Sequence, residues 1–464
     1  MDVTTRLARF IVETAYGDLP PEVVHQAKRC FVDWTGVTLG GATSPLASVL
    51  VKVAAQTGGC EQATIFGTDR RTSALQAALV NGTLSHALDY DDVHMGAVIH
   101  PSAPVIPVIF ALGEMYHLSG NAAIEALAIG YEVEARVGMA IGAAHYSRGW
   151  HATGTMGRLG AAAAAAKLLG LDQRATVWAL GLAATQASGL RQVFGTMAKP
   201  FHAGKAAQDG LLAAMLAKEG LTCSETIIEG RQGLLDVLGE DDARPEVAVE
   251  NLGRPFEIMH NTFKPHAACR LAHPAIDAAM EIRRAHGVRP EDIEAVRCRV
   301  PRYTVDAAGQ TDPATGLAGK FSVYYCVAVA LAEGAAGEDQ FTDAQVRRPA
   351  LVVLQKRVTA EVVPGFANTE SEVTVRTRDR REFTAHVTTP KGDPANPSSD
   401  DELCAKFRSL AQATLTRGRA EDLLNGLMSL ERIADVAALA ALGSCAANAK
   451  PGSYLYKVAG PREP

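Results

Sequence analysis

Apolar residues recur at helical spacing through most of the first half of the chain. The stretch TTRLARFIVETAY places Leu7, Phe10 and Ile11 on one stripe, and PPEVVHQAKRCFVDW opens with proline and continues a stripe through Phe31 and Trp34. Such spacing is typical of an amphipathic helix, and proline is favoured in a helix's first turn. Both stretches are therefore predicted to be helices.

Three later segments, residues 121–144, 154–170 and 203–220, are rich in alanine and glycine on every face. Helices take this composition when their backbones approach closely inside a large bundle. The run from Ala161 to Ala166 is flanked by Leu159 and by KLLGL. Disordered tracts lack such apolar neighbours, so we interpret all three segments as central helices.

The spacing of apolar residues along the chain changes from about residue 290 onward. IEAVRCRVP and EVTVRTRDRREFTAHVTTP alternate apolar with polar residues, and the second stretch is interrupted at RDRR. Alternation of this kind predicts strands, with a hairpin loop at the interruption. KFSVYYCVAVALAEG and DAQVRRPALVVLQKRV, which lie between these stretches, are helix candidates. A linker rich in proline and serine, KGDPANPSS, precedes a last helical part.

The order helix, sheet, helix predicts a mainly α protein with a discontinuous domain. We expect a large all-helical domain formed by both termini, residues 1–262 and 397–464, and a smaller inserted α+β lid domain, residues 263–396. A chain of 464 residues is long enough for two cores, because a single core stops growing at about 250 to 300 residues. A cleft is expected between the two domains.

Composition, charge and cysteine spacing argue against several classes of protein. Hydrophobic residues at 47% and charged residues at 21% are typical of a globular protein, and the first ten residues have no apolar signal core. No apolar run approaches the roughly 18 residues of a membrane span, so a cytoplasmic location is expected. A net charge of -6 without a basic run gives no footprint for nucleic acid, and the eight cysteines form no C-x-x-C pair. The expected partner is a small molecule.

The segment HALDYDDVHMGAVIHPS, residues 86–102, holds three histidines and three aspartates. It could be a metal site, a metal-free acid/base site or a polar loop. His86 and Asp89 lie at or just beyond the end of a predicted helix, and His100 lies just before the start of another, where an anion is favoured. The three histidines do not fall on one helical face, so we favour the metal-free interpretation.

Three further segments place histidine or lysine near small residues or proline. GWHATGTMG holds His151. FGTMAKPFHAGKAAQ holds Lys199, His202 and Lys205, and NTFKPHAACRLAHP holds Lys264, His266, Arg270 and His273. Each segment alone is compatible with a structural histidine or a solvated lysine. Together they concentrate cations in an acidic protein, which predicts a di- or tricarboxylate ligand.

These motifs resemble, in order, the sequence blocks of the MmgE/PrpD family. The resemblance rests on HALDYDDVHMGAVIHPSAPVIPVIFALGE, GWHATGTMGRLGAAAAAAKLLGL, FGTMAKPFHAGKAAQDGLLAAMLA and KFSVYYCVAVAL. The family includes 2-methylcitrate dehydratases, cis-aconitate decarboxylases and iminodisuccinate epimerases. The resemblance implies a large helical domain with an α+β lid, a homodimer, and a site without metal or other cofactor.

The resemblance also implies a set of site residues. Proton transfer is expected from His100 and His151, with Asp89 orienting one imidazole and Tyr325 donating a hydrogen bond from the lid. Lys199 and Lys264 are expected to hold substrate carboxylates. Two positions depart from the family's decarboxylases, in which a threonine stands at the position of Val93 and a histidine at that of Cys269. His266, three residues before Cys269, is a candidate to compensate in substrate binding.

The favoured reaction is dehydration of a 2-methylcitrate-like hydroxy acid by proton abstraction beside a carboxylate. Negative charge develops beside a carboxylate in this reaction, and fixed cations stabilise it. Epimerisation of a dicarboxylate such as iminodisuccinate is the first alternative. Decarboxylation of cis-aconitate ranks lower because of Val93 and Cys269. A carboxylate-binding protein with a degenerate site is the non-enzymatic alternative.

Overall fold

The computed structural model describes residues 2–445. By contacts the chain forms two units, of which the first holds residues 2–87, Asp91–Asn261 and 400–445 and the second holds Leu88–Tyr90 and Thr262–Ser399. The sequence predicts domain boundaries at 262/263 and 396/397. It does not predict that Leu88–Tyr90 belongs to the second unit. Residues 446–464 of the second predicted helical part lie outside the described residues.

The first unit consists mainly of helices. They are α1 (Val3–Glu13), α2 (Pro21–Gly41), α3 (Pro45–Thr57), α4 (Ala74–His86), α5 (Ser102–Tyr116), α6 (Gly120–Ala140), α7 (Ala143–Ser147), α8 (Ala152–Leu168), α9 (Gln173–Ala184), α10 (Ala198–Lys218) and α11 (Leu234–Leu238), with α18 (Asp400–Ala411), α19 (Arg417–Met428) and α20 (Ala437–Leu442) after the second unit. The predicted stripes of α1 and α2 are confirmed: Leu7 and Ile11 are fully buried, and Phe31 is 1% exposed.

The alanine- and glycine-rich segments form α6, α8 and α10 and lie in the core, as the composition predicts. All six alanines from Ala161 to Ala166 are buried. A Cβ added at Gly130 of α6 would lie 2.8 Å from the carbonyl oxygen of Gly160 of α8. A Cβ at Gly157 would lie 2.8 Å from Cγ of Pro104 of α5. Small residues therefore set the close approach of these helices.

The prediction of an all-helical first domain is wrong in one detail. Two short strands, β1 (Ala63–Thr64) and β2 (Arg71–Thr72), pair antiparallel. The buried carboxylate of Glu114 accepts hydrogen bonds from the backbone N–H of Thr64 at 2.7 Å and from its hydroxyl at 2.8 Å. Two-residue strands give no alternation that a sequence pattern can reveal. The strands β3 (Val93–His94) and β4 (Asn261–Thr262) are equally short.

The second unit contains a four-stranded sheet with helices. The strands β5 (Ile293–Val300), β6 (Val358–Val362), β7 (Ser371–Thr377) and β8 (Glu382–Val387) are ordered β6-β5-β7-β8. β5 pairs parallel with β6 and antiparallel with β7, and β7 pairs antiparallel with β8 as the predicted hairpin. The helices are α12 (His273–His286), α13 (Arg302–Ala308), α14 (Gly316–Gly319), α15 (Val323–Glu333), α16 (Asp343–Val346) and α17 (Pro349–Gln355).

The helix predicted for residues 343–358 needs correction. It is divided into α16 and α17 at Arg347 and Arg348, because Pro349 begins a new helix and disfavours the α conformation in the residue before it. Its last residue, Val358, begins β6, which the sequence reasoning missed. Val296 of β5 lies between Val358 of β6 and Val375 of β7 in the sheet.

No single helix among residues 2–445 combines the length and apolarity needed to cross a bilayer. Within the same range, only α2 and α3 taken together, which are bent by 89° relative to each other, reach that length and composition.

Candidate active site

In the polar segment, residues 86–102, His86 and His100 converge on one carboxylate. His86 ends α4, and its Nδ1 lies 2.8 Å from Oδ2 of Asp91. Nδ1 of His100 lies 3.1 Å from the same oxygen, and the two imidazole centroids are 4.4 Å apart. The two histidines do not share a helical face, as the sequence predicts, but the fold still brings their rings together. His86 and His100 each offer one ring nitrogen to a metal ion.

His94 does not belong to this cluster. Its Nε2 lies 3.1 Å from Oε2 of Glu257, and its Nδ1 accepts a hydrogen bond from the N–H of Ala97 at 3.1 Å. Glu257 in turn lies 3.1 Å from the guanidinium of Arg136. These contacts give His94 a structural role in shaping the segment.

Charge and burial set the protonation states around Asp91. Burial alone would raise the pKa of Asp91, but His100 and His86 outweigh it and hold that pKa well below its usual range. Burial lowers the pKa of His86 to about 3 in spite of the attraction of Asp91. At neutral pH His86 is therefore uncharged and donates its Nδ1 proton to the carboxylate. Its Nε2 carries a lone pair that has no hydrogen-bond partner among the described residues.

His151 brings a third imidazole to the cluster. It occupies the N-cap position of α8, where its N–H donates to the carbonyl of Gly189 at 3.0 Å. Its ring stacks on that of His86 at 21° with a centroid distance of 5.8 Å. The side chain is buried, and burial together with the charge of Lys199 lowers its pKa well below the usual range. His151 is therefore neutral in the protein without ligand.

Lys199 supplies a positive charge to the first unit's site. It lies in the first turn of α10, is 6% exposed, and its Nζ is 5.3 Å from the ring centroid of Phe194. Its ammonium lowers the pKa of both His86 and His151. Near α8, the N–H of His100 donates to the hydroxyl of Thr153 at 3.1 Å. Lys199 and the first turn of α8 thus favour a bound anion.

Asp92 links the polar segment to α5 and to Asn261 through buried hydrogen bonds. Its Oδ2 accepts from the hydroxyl of Ser102 at 2.6 Å and from Nδ2 of Asn261 at 3.0 Å. Tyr131 donates to Oδ1 of the same asparagine at 2.9 Å. Burial, with the nearby charge of Asp33, raises the pKa of Asp92 to about 7. These buried hydrogen bonds connect Asp92 to α5 through Ser102 and to α6 through Asn261 and Tyr131.

In the second unit, lysines hold the short segment Leu88–Tyr90. Nζ of Lys264 donates to the carbonyl of Asp89 at 2.7 Å and lies 3.3 Å from its carboxylate. Nζ of Lys320 donates to the carbonyl of Leu88 at 2.6 Å. Asp89 has a φ of 50°, in the left-handed region that aspartate tolerates better than most residues. The sequence reasoning named Lys264 but missed Lys320.

The remaining predicted site residues lie in the second unit with partners of their own. The hydroxyl of Tyr325 donates to the carbonyl of Gln340 at 2.6 Å, and burial raises its pKa. Nε2 of His266 lies 2.7 Å from Oδ1 of Asp277. The N–H of Cys269 donates to the carbonyl of Lys320 at 2.9 Å. Their predicted roles toward substrate stay predictions, and for Tyr325 such a role requires the bond to Gln340 to break.

A mainly helical protein with buried neutral imidazoles beside an ammonium is suited to proton transfer on a small anion. Two family models match it: the MmgE/PrpD N-terminal domain at residues 5–246 and the MmgE/PrpD C-terminal domain at residues 266–430. The chain belongs to the MmgE/PrpD family, as its motifs predict.

Curated relatives match nearly the whole chain. The cis-aconitate decarboxylase-like protein oryM of Aspergillus oryzae is 30% identical over 470 residues, covering 95% of this chain and 97% of that protein. The cis-aconitate decarboxylase of Homo sapiens is 28% identical over 455 residues, covering 95% and 94%. The cis-aconitate decarboxylase of Aspergillus terreus is 27% identical over 477 residues, covering 96% of both chains.

Proposed function

We propose that this chain is a lyase acting on a small polycarboxylate, and that it decarboxylates cis-aconitate or a close analogue. The observation that carries the proposal is the likeness, along at least 95% of the chain, to proteins named as cis-aconitate decarboxylases or decarboxylase-like. From the sequence alone, dehydration ranks first. The relatives favour the decarboxylase alternative over that ranking.

The reaction needs a site that stabilises negative charge and delivers one proton. The carbon–carbon bond to the departing carboxylate breaks and carbon dioxide leaves. The electron pair of that bond delocalises through the alkene toward a remaining carboxylate, and a proton then adds to carbon. Lys199 is suited to stabilising the delocalised charge, since an ammonium buried near the reacting group acts with little screening by water.

The proton source is an imidazole of the cluster. His86 and His151 are neutral without ligand, so neither is an acid at that stage. A bound polycarboxylate brings negative charge, which raises the pKa of a neighbouring imidazole and favours its protonation. We assign His151 and His100 to proton transfer. Asp91 orients His86 and His100 through its shared oxygen.

The test is a product assay with purified protein. Incubation with cis-aconitate should release carbon dioxide in step with loss of substrate. The product made in D₂O should carry one deuterium bonded to carbon, which ¹H NMR detects as the loss of one proton's intensity. His151→Ala, checked for folding by circular dichroism, serves as the control with lowered activity. Absence of carbon dioxide with cis-aconitate and related unsaturated tricarboxylates would refute decarboxylation.

Dehydration of a 2-methylcitrate-like hydroxy acid is the second candidate. Val93 and Cys269 favour it, because the resemblance to the family implies a threonine and a histidine at these positions in its decarboxylases. Val93 is 4% exposed and offers no hydroxyl to a ligand. New absorbance at 240 nm from a conjugated alkene, formed from 2-methylcitrate without carbon dioxide, would identify this reaction. Exchange of substrate hydrogen for solvent deuterium without either product would instead identify an epimerase.

A homodimeric assembly, a cytoplasmic location and independence of metal stay predictions of the family resemblance and the sequence. Sedimentation of the purified chain tests the first of them.

A further inference from the structure

His202 contacts the predicted proton-transfer residue His151 directly. It lies near the start of α10 and is half-buried, and its Nδ1 lies 3.0 Å from Nδ1 of His151. The ring centroids are 5.2 Å apart. A hydrogen bond between two ring nitrogens requires one to donate and the other to accept. The contact therefore couples the tautomers of the two residues.

Two glycines make room for this contact. A Cβ added at Gly154, in the first turn of α8, would lie 3.2 Å from Cβ of His202. A Cβ at Gly189 would lie 3.2 Å from Nδ1 of His202, and φ at this glycine is 132°. The carbonyl of Gly189 also accepts the N–H of His151. The backbone thus positions both rings, and a larger residue at either glycine would press on His202.

The charges around His202 keep it able to accept a proton at Nδ1. Burial lowers its pKa, and the cations of Arg158 and Lys199 lower it further. Arg158 is fixed by Asp209 at 2.9 Å and by the carbonyl of Ser188 at 3.0 Å. At neutral pH His202 is therefore an uncharged imidazole with one nitrogen lone pair.

We propose that His202 is a positioning residue that accepts the Nδ1 proton of His151 and so fixes the tautomer of His151 whose Nε2 carries the lone pair. Nε2 of His151 is buried without a hydrogen-bond partner among the described residues, which suits a group that acts on a ligand. The effect on catalysis rests on the proposed function. The tautomer itself does not.

This arrangement matches the proton balance of decarboxylation. Nε2 of His151 takes a proton from the solvent when the polycarboxylate binds, and the resulting imidazolium keeps its Nδ1 proton hydrogen-bonded to His202. Nε2 then gives that proton to the carbon that has lost carbon dioxide. The ring returns to its starting tautomer, so no rearrangement is needed between turnovers.

The experiment compares three substitutions. His202→Asn places an amide oxygen at the position of Nδ1, because both atoms are bonded to Cγ. His202→Gln moves the oxygen one bond further out, and His202→Leu removes the acceptor. We expect kcat to fall about 10²-fold or more for the leucine and glutamine variants with KM changed little, and to stay within about tenfold for His202→Asn. Equal losses in all three variants would contradict a positioning role.

A second measurement uses no substrate. Two-bond ¹H–¹⁵N spectra of protein with labelled histidine distinguish the protonated from the bare ring nitrogen, and His151→Ala assigns the signal. Wild-type protein and His202→Asn should show His151 protonated at Nδ1, and His202→Leu should lose that preference. Protonation at Nε2 in the wild-type protein would overturn the proposal even if decarboxylation is observed.

Failure of the proposed function would look different, with no turnover by the wild-type protein but the same tautomer. If His202→Leu proves unfolded, His202→Gln takes its place in both tests, since its amide oxygen lies one bond beyond the position of Nδ1. A His202→Gln protein that folds with the wild-type tautomer and kcat would also contradict the proposal.

Discussion

The raised pKa of Asp92 predicts that replacing this residue changes stability in a pH-dependent way. Its pKa is about 7 in the folded protein, against an ordinary value of 3.8. Between these values the folded chain holds a proton that the unfolded chain has released. Stability contributed by the protonated carboxyl is therefore lost as the pH rises from 3.8 to about 7, by roughly 1.4 kcal/mol per pH unit.

Asp92→Asn keeps the size of the side chain and removes its titration. The amide oxygen retains an acceptor for Ser102 and Asn261. The free energy of unfolding of the variant minus that of the wild type should therefore rise by about 2 kcal/mol between pH 5 and pH 7, and change little above that range. Urea denaturation at pH 5, 6, 7 and 8, followed by circular dichroism, measures this difference.

Asp379→Asn is the matched control. The hydrogen bond from Thr377, with the contacts of Arg381, lowers the pKa of Asp379, so its titration falls below the range measured. The difference for this variant should stay constant between pH 5 and pH 7. A constant difference for Asp92→Asn as well, or one that falls with pH, would refute the reasoning about the buried carboxyl.

Three other predictions concern the polar segment and its neighbours. His100→Ala and His151→Ala should each lower kcat by about 10² to 10⁴ with the fold intact by circular dichroism, and an unchanged kcat would remove that residue from proton transfer. His94→Ala should lower the free energy of unfolding by about 1 to 3 kcal/mol, because Glu257 loses a buried partner, yet leave kcat within a few-fold. Activity should survive exhaustive EDTA treatment, and loss that one metal restores would show a metal-dependent enzyme.

Periodic patterns predicted the long elements of the fold. The stripes of α1 and α2, the small-residue faces of α6, α8 and α10, and the hairpin of β7 and β8 are all found where the sequence places them. The short strands and the division of α16 from α17 were missed, since two to five residues carry little periodic signal. Pro349 indicates that division in the sequence, because proline disfavours the α conformation in the residue before it.

The candidate site was predicted only in part, because the roles of polar residues depend on partners distant in sequence. Asp91 and Asp92 follow each other in the chain but carry opposite pKa shifts. Asp91 meets two imidazoles, whereas Asp92 meets Ser102 and Asn261. Composition cannot rank such neighbours. His202 was noticed in its motif, but its contact with His151 comes from the crossing of two helices.

The single oxygen that serves both His86 and His100 makes substitutions in this segment epistatic. Loss of one imidazole leaves the carboxylate to the other, so the effect of a second substitution depends on whether the first is already present. Natural variants at these positions are therefore expected to arise as coordinated sets. Engineering a new specificity here would succeed through simultaneous changes at residues 86, 91 and 100 more readily than through stepwise selection.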